Sequence, residues 1–365
     1  MIFFYNIFIL IYKLVLWCFS LFNNKAKKII KNQKNLIQKI QSDTKGEANI
    51  VWFHASSLGE FEQGKPVMKI YKKKNPNHKI LLSFYSPSGY NNIRKSELTD
   101  WIFYLPHDTK KNAKFIAQNI KPIKVIFIKN EFWFNYMREL SKENIPIYFI
   151  SSIFRKEHYF FKSYGKWFSK QLQNISYFFV QNTESEKLLN SIDIKNVKVV
   201  GDIRFETVLD NSRQEYTNKI VQEFCKKRKI LIAGSTWKND LNLLKNLDYK
   251  IIIAPHELNH LEKVKELNNS VLLSDCKIID CSKYDVLIID KIGILAKIYR
   301  YADIVYIGGG FGKGIHNCLE AAVYNIPIIF GPNYHKFQEA KDLISLGIAK
   351  SINNSDEFKN AISSF

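Results

Sequence analysis

The sequence has no paired-cysteine motif. Its five cysteines are Cys18, Cys225, Cys276, Cys281 and Cys318. None forms a C-x-x-C, and Cys276 and Cys281 lack the second Cys or His pair that a zinc site needs. The odd number and irregular spacing point to reduced thiols in a cytoplasmic compartment. No Asp-x-Asp metal motif follows a strand-like run. There is no short-period repeat, no low-complexity tract and no stretch composed like a disordered tail. Acidic side chains are scarce: 34 Asp and Glu stand against 54 Lys and Arg, a net charge of +20. That balance favours an acidic partner such as nucleic acid, an anionic membrane surface or a phosphorylated substrate, although an AT-rich genome also enriches Lys, Asn and Ile. No basic-aromatic RNA motif accompanies the charge, which argues against nucleic acid.

Apolar residues, by contrast, crowd the N-terminus. MIFFYNIFILIYKLVLWCFSLF, residues 1–22, is interrupted only by Asn6 and Lys13 among polar groups before Ser20. It is long enough to span or deeply enter a bilayer. It lacks the basic n-region and small-residue cleavage site of a signal peptide, so it is expected to be retained. Lys25, Lys27, Lys28, Lys31, Lys34 and Lys39 follow in a basic segment, 23–48. Their charge places the remainder on the cytoplasmic side and attracts anionic lipid. A buried first helix of a soluble domain, or one lying on the membrane face, is the competing reading, because Lys13 is costly at a bilayer centre.

At 365 residues the chain has room for about two domains. Strand-like runs at 50–53, 80–84, 125–128, 147–150, 177–180 and 197–200 alternate with helical stretches at 61–74, 109–119 and 183–190. A second series follows at 230–233, 250–253, 271–273, 286–289, 304–307 and 326–330. Continuous β-branched runs bounded by polar turns indicate parallel strands buried on both faces. The polar segment 201–215 is expected to be a linker. The fold class is therefore α/β, with two Rossmann-like domains facing a cleft and ligands at the carboxyl ends of the strands. Residues 49–205 form the first domain and 206–365 the second, whose last helix is a candidate for packing back onto the first.

Three loops of the second half end strands. Residues 301–332 run from a strand into Gly308, Gly309 and Gly310, then Gly312 and Gly314, then a helix expected to open near His316. Glycines let backbone approach a ligand, and a helix N-terminus offers N–H groups to an anion. On that helix His316, Asn317 and Glu320 would share a face, where Glu320 is placed to grip sugar hydroxyls. The other two loops carry Ser235 and Thr236, and His256 with Glu257. A glycine loop alone is weak evidence, but three such loops in one domain indicate a nucleotide site.

In this combination the chain resembles the Kdo transferases, membrane-anchored glycosyltransferases that move 3-deoxy-D-manno-octulosonate (Kdo) from CMP-Kdo onto lipid A precursor. The resemblance is carried by the N-terminal anchor and by WFHASSLGEF (52–61), SFYSPSGY (83–90), YLPHD (104–108), GDIRFE (201–206), GSTWKND (234–240), APHELNH (254–260), LAKIYRYADIVYIGGGF (295–311), GIHNCLEAA (314–322) and FGPNYHKFQEA (330–340). There are departures. A Thr-rich family segment is replaced by Ser83 to Gly89, and an Asn-Ala-Arg by Ile153-Phe154-Arg155. An Arg-His after proline is replaced by His256-Glu257. That last change leaves the phosphate's partner open between the backbone at Ile315 to Asn317 and Lys313.

The resemblance implies the two-domain GT-B fold, inverting transfer, no cofactor and no essential metal. Glu60 corresponds to the family's catalytic carboxylate and is expected to act as general base, with Glu62 pointing elsewhere. Ser57 with Glu60 three residues later also reads as a helix capping box, which by itself accounts for a carboxylate there. Acceptor-binding candidates are Ser57, Gly59, Ser88, Arg155 and Lys65, the last grouped with Lys69, Lys72, Lys73 and Lys74. Donor-binding candidates are Ser235, Thr236, His256, Gly309, Gly310, His316, Asn317 and Glu320. The implied partners are CMP-Kdo, lipid A precursor and the anionic cytoplasmic face of the inner membrane. Two other readings fit the residues: a GT-B transferase that uses a UDP-sugar with a lipid-linked acceptor, and a non-catalytic, membrane-tethered binding protein on the same scaffold.

Overall fold

The computed structural model describes residues 1–93, 96–226, 228–245, 247–257, 261–267 and 269–365. The chain divides into two compact units, Met1–Ile203 and Arg204–Phe365.

Seven strands of the first unit form one sheet among the described residues: β1 (Ile50–Ala55), β2 (Lys79–Phe84), β3 (Trp101–Tyr104), β4 (Lys124–Ile128), β5 (Ile147–Ser152), β6 (Tyr177–Val180) and β7 (Val197–Val199). Their order is β3-β2-β1-β4-β5-β6-β7, and every pair is parallel. β1 is buried along its whole length, as expected of a strand covered on both faces. Phe53, Phe61 and Phe84 fill one side, and Trp52, Phe127 and Phe149 the other. The edge strand β3 lies outside the expected series. Its run of Trp101 to Tyr104 is short and only half of it is buried, so the pattern is weak until pairing with β2 fixes it.

Three N-terminal helices belong to this unit: α1 (Ile2–Ser20), α2 (Asn24–Gln33) and α3 (Leu36–Asp43). By length and composition α1 can cross a membrane. It nevertheless lies against the unit through one stripe, in which Tyr5, Asn6, Ile9 and Tyr12 are less exposed than their neighbours. This i, i+4, i+7 spacing is one helical face. Tyr5 donates to Asp108 Oδ2 (2.6 Å), and Asn135 Nδ2 donates to Asn6 Oδ1 (2.9 Å). Buried Asp108 also accepts from the backbone N–H groups of Asn135 and Tyr136 (3.1 and 3.0 Å). Burial pushes its carboxyl up to about 6 against these bonds. The rest of α1 is an exposed apolar surface that includes Phe3, Phe4, Phe8, Leu14 and Trp17. The basic stretch after it is two amphipathic helices. They bury Ala26, Ile29, Leu36 and Ile40 and leave the six lysines outside.

The second unit repeats the plan with β8 (Ile230–Thr236), β9 (Lys250–Pro255), β10 (Ser270–Leu272), β11 (Val286–Ile288), β12 (Ile304–Ile307), β13 (Ile328–Phe330) and β14 (Ala349–Ser351). The order is β10-β11-β9-β8-β12-β13-β14, again all parallel. β14 was not expected, because Ala349-Lys350-Ser351 has no apolar run; pairing with β13 makes it a strand. The segment expected as a linker is instead helical from Arg204 to Arg213. Its polar composition conceals Phe205, Val208 and Leu209 at helical spacing. Val208 is buried, and Arg204 is held by Glu339 (3.0 Å). In each sheet the chain reverses direction of growth once, between β1 and β4 and between β8 and β12. Those switch points are where α/β sheets bind ligands.

Candidate active site

Each unit gathers a cluster of functional groups at its own switch point. In the first, β1 ends at Ala55 and the chain turns through Ser56 and Ser57 into α4 (Leu58–Lys74), for which Ser57 is the N-cap. Glu60 is the third helical residue, and its Oε2 accepts the backbone N–H of Ser57 (2.9 Å). The capping role and the position at the sheet's switch point therefore coexist in one side chain. Burial raises its carboxyl above the usual range. Repulsion from the Glu131 carboxylate adds to this, while the Ser57 bond and Lys129 oppose it.

Glu131 follows β4, the strand beside β1, and was not among the expected residues. Its only sequence signal is a carboxylate three residues past a strand-like run. It sits in an aromatic and imidazole setting. Trp133 Nε1 is shared between Glu131 Oε2 (3.1 Å) and His54 Nε2 (3.2 Å), and His54 Nε2 lies 3.6 Å from Glu131 Oε2. With Nε2 accepting, Nδ1 of the fully buried His54 is the protonated nitrogen, directed at Ser83 Oγ (2.8 Å). Trp52 Nε1 donates to the same oxygen (2.7 Å). His54 thus holds Trp133, and Trp133 holds Glu131.

Of the expected acceptor residues, Ser57 and Gly59 flank Glu60 on the same turn. Ser88 lies after β2 in the short helix Pro87–Asn92, whose N-cap Ser86 ties it to that turn: Ser86 N donates to Ser56 O (2.7 Å), and the Ser86 and Ser88 hydroxyls meet at 3.0 Å. Arg155 follows β5 and is exposed. Lys65 lies further along α4 and pairs with Glu62 (3.4 Å), so it is not brought to Glu60. Glu62 is exposed and directed at that lysine.

In the second unit the loops after β8, β9, β12 and β13 converge. Gly308 N donates to Gly234 O (2.9 Å), and His316 N to Gly308 O (3.2 Å). The glycines are sterically required: a Cβ on Gly308 would lie 2.3 Å from Ser235 O, and one on Gly310 2.6 Å from Gly331 N. Asp240 locks this arrangement. It is 1% exposed, and its carboxylate accepts from Tyr306 OH (2.7 Å), Trp237 N (2.8 Å) and Gly309 N (3.1 Å). Although GSTWKND contains it, nothing in the motif's spacing singled Asp240 out. Above the glycines, His256 stacks on His316 with ring centres 4.1 Å apart, and Trp237 Nε1 donates to His316 Nε2 (2.9 Å). Burial and neighbouring His256 hold the His316 imidazole down at about 4. It is therefore neutral near pH 7, with Nδ1 as its remaining donor. Thr236 Oγ1 is buried and has no hydrogen-bond partner among the described residues, a donor–acceptor free for a ligand.

The helix expected to open near His316 begins later. Gly309 and Gly314 have positive φ (+89° and +145°), and the chain remains irregular until the short helix Leu319–Ala322. His316 and Asn317 therefore precede the helix and do not share a helical face with Glu320. Asn317 still reaches Glu320 by donating Nδ2 to Oε1 (3.0 Å). Burial raises the Glu320 carboxyl, opposed by this bond. A single turn of helix gives an anion little dipole, so the expected phosphate site at Ile315 to Asn317 is not built in that way. Lys313 is exposed on the glycine loop. The last three residues of APHELNH, 258–260, lie outside the described residues.

Comparison with known proteins bears on the family. The family model for 3-deoxy-D-manno-octulosonic-acid transferase (kdotransferase) matches residues 28–207. A 3-deoxy-D-manno-octulosonic acid transferase of Rickettsia bellii is 27% identical over 86% of this chain and 78% of that protein. The Chlamydophila psittaci enzyme of the same name is 26% identical over 83% and 74%. These matches support assigning the chain to the Kdo transferase family. A bifunctional glycosyltransferase/methyltransferase of Fusobacterium nucleatum is 29% identical over 88% of this chain, which spans about half (53%) of that longer protein. The fold is shared with UDP-GlcNAc 2-epimerases of Methanocaldococcus jannaschii (TM-score 0.57, 15% identity, 86% and 91% of the two chains) and Neisseria meningitidis (0.57, 16%, 87% and 90%). With two doubly wound units and these neighbours, the chain has the GT-B type of fold.

Proposed function

We propose that this protein transfers Kdo from CMP-Kdo to a hydroxyl of lipid A precursor, with inversion and with Glu60 as general base. One observation carries the base assignment: Glu60 is half-buried at the switch point of its sheet, and burial together with Glu131 raises its proton affinity. A carboxylate with raised pKa is a better proton acceptor near neutral pH than an ordinary one. Glu60 takes the acceptor hydroxyl's proton as that oxygen bonds to the anomeric carbon. The bond from that carbon to the CMP phosphate oxygen breaks, and CMP leaves with the electron pair. Neutral His316 and Thr236 supply hydrogen-bonding groups for donor and leaving phosphate, the glycine loop gives them a close backbone to approach, and Glu320 takes sugar hydroxyls.

The membrane is where such an acceptor resides, and α1 supports that location. Because α1 lies along the first unit by its polar and aromatic stripe, its free apolar side suits an interfacial position, flanked by the exposed lysines of α2 and α3. The cytoplasmic face of the inner membrane follows from the lysines' charge and the location of CMP-sugars. The test is product mass after incubating the purified protein with CMP-Kdo and tetra-acylated lipid A precursor. Addition of one or more Kdo residues with release of CMP is expected. UDP release from a UDP-sugar without CMP release would refute the reading.

A further inference from the structure

We infer that an aromatic groove between α1 and the body of the first unit holds one acyl chain of the acceptor. The cavity has a volume of about 640 Å³, within the roughly 300–1,000 Å³ of sites that take one small ligand. Phe4, Phe8 and Tyr12 of α1 form one wall, and Trp133, Trp167 and Phe168 the other. The second wall is fixed by its own packing: the Phe134 ring meets Trp167 at 5.5 Å and Phe168 at 5.4 Å.

Two features select the occupant. The groove is continuous with the exposed apolar side of α1 through Phe4 and Phe8, which are 66% and 60% exposed. It therefore opens where a lipid tail enters. Its lining also includes Glu131, the carboxylate that raises Glu60, so a tail lodged in the groove hangs from a head group delivered to the two carboxylates. An amphiphile with an apolar chain and a hydroxyl-bearing polar head satisfies both ends at once; a peptide helix or a wholly apolar ligand satisfies only one. Trp133 joins the two functions, since its ring lines the groove while its N–H holds Glu131 (3.1 Å). This assignment rests on the proposed acceptor class, and it adds a chain-binding subsite to the head-group site.

The test uses full-length protein in detergent micelles. Steady-state transfer from CMP-Kdo is measured for the wild type, Phe8→Ala and Trp167→Ala, with precursor bearing four, two or no acyl chains. Each buried methylene is worth roughly fourfold in affinity. The variants are therefore expected to raise KM for the tetra-acylated precursor about tenfold, to flatten the dependence on acyl chains, and to leave KM for CMP-Kdo unchanged. Wild-type chain dependence in both variants would overturn the proposal. A second measurement needs no turnover. In a Trp17→Phe protein, which removes the exposed reporter of α1, precursor with a dibrominated acyl chain is expected to quench tryptophan emission. Further replacement of Trp133 and Trp167 by Phe is expected to abolish that quenching. Undiminished quenching, or equal quenching by dibrominated phospholipid at the same mole fraction, would overturn the assignment to the acceptor. Quenching that follows the prediction without any Kdo transfer would refute the transferase reading while leaving the groove's ligand in place.

Discussion

Glu60→Gln separates the capping bond of Glu60 from its proposed role as base. The amide keeps the size of the side chain and an oxygen that accepts the Ser57 N–H, now held at 2.9 Å. What disappears is the negative charge. Its interaction with the first turn of α4 is worth about 0.3–1 kcal/mol, and losing the repulsion from Glu131 and the desolvation of a half-buried charge offsets part of that. Net stability should therefore change by less than about 1 kcal/mol, and Tm should move by no more than a few degrees. Catalysis should respond on another scale. General-base assistance is worth about 10²–10⁴ in rate, or about 3–5 kcal/mol of transition-state stabilisation, so kcat should fall by that factor. CMP affinity should not change, because the donor loops lie in the other unit. The assay is steady-state CMP release from CMP-Kdo with lipid A precursor, alongside thermal unfolding and equilibrium binding of CMP. Activity within threefold of the wild type would end the base assignment. A large loss of Tm would show that the charge at the first turn of α4 is chiefly structural.

Glu131→Gln removes the like charge that raises Glu60, so the acid limb of the kcat/KM–pH profile should move to lower pH; an unmoved limb would show that the two carboxylates do not couple. Gly310→Ala places a Cβ about 2.6 Å from the backbone N of Gly331, a contact no rotamer relieves. It should destabilise the second unit by about 1–3 kcal/mol in urea unfolding and weaken CMP binding at least tenfold, whereas wild-type affinity would show that the loop yields. Asp108 binds its proton more tightly when folded (about 6) than when unfolded (3.8). Its contribution is thus fully present at low pH and is lost as pH rises through about 6. The difference in unfolding free energy between wild type and Asp108→Asn should change across pH 4–6, and a flat difference would refute the burial argument.

The position of Glu60 at the switch point was legible because it lies in a local pattern. A β-branched strand, a serine-glycine turn and a helix start are all written within residues 50–61, and backbone geometry then leaves few places for Glu60. The same holds for the glycines at 308–310, where close backbone approach demands the residue type itself. The helix at His316 was misplaced for an equally local reason: periodicity gave His316 to Glu320 one face, but two positive-φ glycines keep the chain irregular until Leu319. Polar composition hid the helix Arg204–Arg213, whose few apolar residues acquire meaning only when Val208 has a surface to bury against.

Glu131, His54 and Asp240 belong to a different category. Each acquires its role from groups 25 to 80 positions away in the chain: Glu131 and Trp133 reach His54 because β4 pairs with β1, and Asp240 reaches Tyr306 and Gly309 because β12 lies beside β8. No period or motif encodes a strand's neighbour. The sequence by itself determined two doubly wound units, an apolar N-terminal helix and a carboxylate at a strand-to-helix turn, because propensity, patterning and turn chemistry act over a few residues. Tertiary structure alone decided that α1 lies along its unit and forms a groove with it, that a second carboxylate faces the first, and that a buried aspartate fixes the glycine loop. Those features depend on sheet order and on desolvation, which arise only when distant segments pack.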